Sequence, residues 1–141
     1  MTKQKVCVSF DYDEDRSYYY MLEAWDKNEN FEFSFSDCTP SEIQSESISR
    51  IKAVLTSKID EATTVLVIIG QDANKRHADC IKIGYKNWQN YEIAKAKELG
   101  KKLVAVKLDR ENQSPEELLG AGASWAMSFT EDAINAALRE V

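Results

Sequence analysis

Hydrophobic positions along the chain switch repeatedly between two spacings. Val6, Cys7, Val8, Ser9 and Phe10 form a short β-rich run after Lys5, a first strand. Tyr18, Met21, Leu22 and Trp25 then recur at helical spacing. The acidic run Asp11–Tyr12–Asp13–Glu14–Asp15 precedes them, where the positive end of a helix dipole favours acids. Phe31–Glu32–Phe33–Ser34–Phe35 alternates strictly and predicts a strand with one polar face, near a sheet edge. Ile48, Ile51, Leu55 and Ile59 mark a second amphipathic helix. Thr63 to Ile69 is apolar on both faces, so it predicts a central buried strand ending at Gly70.

The same alternation continues to the end of the chain. Gln71 to Gly84 is a polar loop with room for one helical turn. Asn87 to Leu99 is a helix, closed by Gly100 in the position of a left-handed cap. Leu103 to Leu108 is a fourth strand. A long loop, Asp109 to Ser124, holds a turn around Pro115–Leu119, and Trp125 to Phe129 is a short fifth strand. Ser128 and Glu131 have capping-box spacing before a last helix faced by Ile134, Ala137, Leu138 and Val141.

Strands alternating with helices imply a parallel sheet covered on both faces. The expected fold is α/β: a flavodoxin-like, doubly wound parallel sheet of five strands in order 2-1-3-4-5, with residues 64–69 central. Residues 1–141 read as a single domain. The expected core includes Val6, Val8, Leu22, Ile51, Leu55, Val65, Val67, Ile69, Val104, Val106, Ile134 and Leu138. Ligands of such sheets bind beyond the carboxyl ends of the strands, which directs attention to loops 11–15, 36–40, 70–86 and 109–124.

Composition narrows the partners. Of 141 residues, 18 are basic and 24 acidic, a net charge of −6. Phosphate-backbone and anionic-lipid binding rely on clustered Lys and Arg, so neither nucleic acid nor a membrane surface is expected. No apolar run nears the roughly 20 residues of a membrane span. Cys7, Cys38 and Cys80 are widely spaced with no CxxC, which fits a reducing compartment. Met1–Gln4 is polar and lacks a signal-peptide pattern, so cytoplasmic residence is expected. His77 and Cys80 lie three apart without a second pair, and no metal is expected.

Several chemistries lack their motif: GxGxxG, GxxxxGK[ST] and GxSxG are all absent. A lone His77 disfavours a nucleophile triad. On a helical wheel started at Trp88, Leu99 falls at about 20°, Glu92 at about 40°, Ala96 at about 80° and Ile93 at about 140°. Lys97, Asn90, Ala94 and Glu98 fill the opposite side. Glu92 therefore sits within the apolar stripe, where a carboxylate costs free energy unless it is partnered or protonated. It is either a structural carboxylate, capping a loop or pairing with a lysine, or a functional acid at a cleft beside Trp88. Phe10–Asp11–Tyr12–Asp13 reads as a solvated acidic turn or as a binding lip. A phosphoacceptor pocket would want an aspartate at Gly70; Asp72 comes two residues late.

Together these segments resemble a TIR domain, and more narrowly the bacterial TIR-like family of Thoeris antiphage systems. Val6–Cys7–Val8–Ser9–Phe10–Asp11–Tyr12–Asp13 resembles that family's first strand and loop. Phe35–Ser36–Asp37–Cys38 resembles the end of its second strand, and Val65 to Gly70 its central strand. Trp88–Gln89–Asn90–Tyr91–Glu92–Ile93–Ala94 resembles its WxxxE helix, and Lys101 to Val106 the strand that follows.

The resemblance implies an enzyme that cleaves the nicotinamide–ribose bond of NAD, with Glu92 catalytic and NAD as substrate. Phe10, Asp11, Tyr12, Asp37, Gly70 and Trp88 are the implied NAD-binding residues. It also implies a cyclic ADP-ribose-type product read by a nucleotide-sensing effector, and self-assembly that completes the pocket. The alternative on the same fold is a non-catalytic interaction module.

Overall fold

The structure, a computed structural model, describes residues 3–38 and 47–140, except for the side chains of Tyr12 and Asp13. Five strands form one sheet: β1 (Gln4–Ser9), β2 (Phe33–Asp37), β3 (Thr64–Ile69), β4 (Lys102–Lys107) and β5 (Ser124–Ala126). Their order is β2-β1-β3-β4-β5, with every adjacent pair parallel. β3 occupies the middle, and all six of its residues are buried. A Val/Ile/Leu run can be buried on both faces only where helices cover both.

Five helices do so: α1 (Tyr12–Asp26), α2 (Ile48–Glu61), α3 (Cys80–Ile83), α4 (Trp88–Glu98) and α5 (Glu131–Glu140). Side chains alternate across each strand and divide the core. Val6, Val8, Phe10, Leu66, Ile68, Val104 and Val106 pack with α1 and α5. Cys7, Val65, Val67, Ile69 and Ala105 pack with α2, α3 and α4. All twelve expected core residues are buried.

Several local expectations need correction. Met21 is 44% exposed, and Tyr19 with Leu22 forms the buried stripe of α1, so the face is turned by about one position. Leu99 is exposed at 37%, because it caps α4 instead of lying within it. Asn90, assigned to the outer side of that helix, is fully buried. Loop segments fold over the first turn of α4 and remove it from water. The last helix is capped by Thr130, not Ser128: Ala133 N donates to Thr130 Oγ1 at 3.2 Å. β5 is shorter than expected, ending at Ala126. Gly100 takes its left-handed conformation at φ 70°. Val141 and residues 39 and 40 of the 36–40 loop lie outside the described residues.

Candidate functional site

The site is built around the first two turns of α4. Asn87 caps the helix by accepting Asn90 N at 2.9 Å, and its own amide donates to Ala73 O and Lys75 O, each at 2.9 Å. Asn90 donates to Asn74 Oδ1 at 3.2 Å and to Asn87 Oδ1 at 3.0 Å, while its oxygen accepts Glu117 N at 2.9 Å. Asn74 Oδ1 also accepts Glu116 N at 3.1 Å. Three asparagines thus bind the segment after β3 and the turn at Glu116–Leu118 to one helix end. Gln89 fastens that end to the sheet: its amide donates to Ile68 O at 3.0 Å and to Ser9 O at 3.4 Å, spanning the tips of β3 and β1.

One turn further on, Glu92 points into the α2/α4 side of the core and is fully buried. Cys38, just past β2, donates its thiol to Glu92 Oε2 at 3.4 Å and approaches Val8 O at 3.2 Å. One thiol hydrogen serves one of these acceptors well at a time. Glu92 Oε1 has no partner, nor does the buried Ser9 Oγ meet hydrogen-bond geometry with any group. Burial first, then Cys7 and Asp37, push the Glu92 carboxyl well above its ordinary pKa; the nearby Ser9 hydroxyl and Cys38 thiol pull the other way. Burial likewise holds Cys38 well up, as a thiol. Of the two structural fates, pairing with a lysine is not found among the described residues; Glu92 meets the Cys38 thiol.

A second buried carboxyl lies on the opposite face of the same sheet end. Asp15, in the first turn of α1, is 5% exposed, and its Oδ2 has no partner. Its N–H donates to Asp11 O at 2.7 Å. The carboxyl packs on Gly70, where a Cβ would meet Oδ2 at 1.9 Å, so a side chain there would push the carboxyl aside. Burial, then Asp11, Glu14 and Asp72, push its pKa from 3.8 up to about 6. Buried polar groups are nearly always paired, so each exception calls for a reason. Among the described side chains four such residues occur, and three of them, Ser9, Asp15 and Glu92, stand at or beside the carboxyl ends of β1 and β3.

The expected site residues distribute as follows. Gly70 and Asp11 come together at Asp15. Phe10 is buried, its ring stacked on Tyr19 with centroids 5.0 Å apart, in the core opposite α4. Trp88 packs edge-on against Tyr91 at 5.6 Å and His77 at 6.5 Å. Asp37, at the end of β2, borders a shallow depression of ≈ 460 Å³ with Lys5, Tyr19 and Lys58. Tyr12 opens α1, and its side chain lies outside the described residues. Sequence reasoning missed Asp15, Gln89 and the Asn90 node. For Asp15 a signal existed: with Tyr19 and Leu22 it completes the i, i+4, i+7 face of α1.

Solved structures that share the fold include two deoxyribosyltransferases. A 2-deoxyribosyltransferase of Bacillus psychrosaccharolyticus matches with TM-score 0.60 at 10% identity, covering 92% of this chain and 90% of its own. A 2-desoxiribosyltransferase of Leishmania mexicana matches with TM-score 0.60 at 14% identity, covering 97% of both chains. At such identities they speak for the fold alone. No curated protein matches. The family model described as "Thoeris protein ThsB, TIR-like domain" matches residues 7–113, the stretch that runs from β1 through Glu92 and past β4. With its five-stranded sheet and α4 glutamate in the segments where the resemblance lay, the chain belongs to the TIR-like domain family of the Thoeris protein ThsB.

Proposed function

We propose that this domain cleaves the bond between nicotinamide and ribose in NAD, and that Glu92 is the catalytic residue. Family membership ties the chain to Thoeris antiphage defence. The observation that carries the enzymatic reading is the buried Glu92 carboxyl with an orphan oxygen at the carboxyl end of the sheet. Nicotinamide leaves with the electron pair of the broken C–N bond, which neutralises its pyridinium, and the ribose becomes oxocarbenium-like. A carboxylate fixed beside that ribose accepts a hydroxyl hydrogen bond and stabilises the developing positive charge. Because the leaving group departs neutral, no strong general acid is required. Attack on the ribose by a nucleophile of the same ADP-ribosyl group would give a cyclic ADP-ribose-type product, the signal to a nucleotide-sensing effector. Attack by water would give the linear one. The fold's occurrence in enzymes named for deoxyribosyl transfer does not conflict with chemistry at a ribose.

Glu92 is sealed in this conformation. Substrate reaches it only when the groups above it part, which fits an enzyme that is triggered or assembled before it acts. Glu92→Gln tests the reading. The near-isosteric amide should fold as well as the parent, with NAD turnover in the triggered state lower by about 10²–10³-fold. Nicotinamide release and thermal melts are measured side by side. Full turnover by a normally folded variant would overturn the catalytic assignment and leave an interaction module.

A further inference from the structure

Glu92 stabilises a developing cation only as an anion, yet none of the ion pairs among the described residues includes it. We propose that Cys38 is the positioning residue for Glu92: its thiol holds Oε2 of the carboxylate, so that Oε1 is the oxygen that meets the ribose hydroxyl. This rests on the NAD reading of Glu92.

Three observations converge on the thiol. First, Cys38 is fixed by its backbone, whose N–H donates to Val8 O at 3.1 Å. Val8 O is thereby served. The thiol hydrogen, although Sγ lies 3.2 Å from that same oxygen, is free for Glu92 Oε2 at 3.4 Å. Burial keeps Cys38 protonated, so the donor is there to give. Second, the two carboxyl oxygens are unequal. Oε2 has the thiol, Oε1 has no partner, and the whole side chain is shut from water. The oxygens point apart, so substrate can reach Oε1 with Oε2 still held. Third, a buried carboxylate without donors gives up its charge by taking a proton. The thiol opposes this by hydrogen bonding to the ionised form, as does the Ser9 hydroxyl of β1. Cys7 of β1 and Asp37 of β2 act the other way. From α2, Lys52 and Thr56 meet Tyr91, and Lys58 meets Asp37 O. Glu116 and Glu117 pair with Lys86 and Lys97. β3 and β4 present Val65, Val67, Ile69, Leu103 and Ala105 to that core. A thiol is a weak donor, so it orients the carboxyl while leaving its charge easily lost.

The test follows NAD turnover by the triggered full chain across pH, for the parent and for Cys38→Ala, Cys38→Val and Cys38→Ser, with thermal melts alongside. Cys38→Ala and Cys38→Val remove the donor, and Cys38→Val nearly keeps the volume. Both should lower kcat about tenfold near the acid limb, with KM within about threefold of the parent. Without its donor the carboxylate takes a proton more readily, so that limb should move about one unit toward higher pH. The deficit should shrink as pH rises, which a loss of packing does not do. Cys38→Ser keeps a donor, and a hydroxyl is the stronger one, so it should recover most of kcat with its limb at or below the parent's. Parental kcat and limb in both apolar variants, a loss carried by KM, a deficit equal at every pH, or a deficit that Cys38→Ser shares would overturn the positioning role. Each leaves the catalytic assignment of Glu92 standing, because Glu92→Gln tests that separately. If melts show the apolar variants unfolded, Cys38→Ser decides alone, and a limb above the parent's overturns the proposal. Absence of any NAD turnover in the triggered parent overturns both proposals together.

Discussion

Asp15→Asn isolates the energetic cost of a buried, unpartnered carboxylate. The folded pKa of about 6 lies above the unfolded value of 3.8. Below the lower value both states are neutral, and the group costs nothing electrostatically. Between the two values the unfolded chain loses its proton first, so stability falls as pH rises. Above the upper value the folded state must ionise Asp15 as well, and the full cost persists. The difference of about two units corresponds to about 2–3 kcal/mol. Asparagine removes the titration while keeping the shape. Its amide adds an offset that does not change with pH, so the change across pH is the quantity to read. From pH 4 to pH 8 the variant should gain about 2–3 kcal/mol over the parent, roughly 5–10 °C in Tm for a domain of this size. Calorimetric melts of both proteins at half-unit pH steps measure it, and the shared titrations of Glu92 and the surface groups cancel in the difference. A difference that stays flat, or grows toward acid, would refute the reasoning.

Two further substitutions test the frame that holds the site. Asn90→Ala strands the Glu117 N–H and takes one of two donors from each of the Asn74 and Asn87 oxygens, which keep Glu116 N and the backbone N–H of residue 90; it should cost about 1–3 kcal/mol in denaturant unfolding, with faster hydrogen exchange at residues 73–75 and 116–117; an unchanged midpoint would deny the node its role. Leu55→Ala empties a fully buried position of α2 and should cost about 2–5 kcal/mol, whereas a loss under about 1 kcal/mol would mean that the α2/α4 core is loosely packed.

The fold was legible because its signals are local and redundant. β3 reads as central from Thr64–Ile69 alone, since only a doubly covered strand tolerates apolar side chains on both faces. The alternation from Phe31 to Phe35 reads as an edge strand, and β2 is one, though it lies two residues later, over Phe33–Asp37. Glu92 was legible because one carboxylate interrupts an apolar stripe. The rest depends on partners distant in sequence. A helical wheel counts a helix's own periodicity, so it put Asn90 outside; the loops that bury Asn90 come from residues 74 and 117. Asp15 was hidden among acids that look alike in a string, and only its contact with Gly70 separates it from Glu14, which is exposed. Ser128 and Thr130 both offer a hydroxyl before α5, and spacing alone chose the wrong one.

The thiol that covers Glu92 hangs from the outermost strand. β2 pairs with β1 on one side only, over Gln4↔Phe33 to Val8↔Asp37, and Cys38 follows directly, held by its N–H on Val8 O at 3.1 Å. β3, by contrast, is bonded on both sides. Peeling back the tip of an edge strand costs far less than opening the middle of a sheet, because local opening energies range from near zero up to the global stability. Opening at the β2 tip therefore costs less than any opening that disturbs β3. The cover over Glu92 thus belongs to the part of the sheet that opens locally while the rest stays folded.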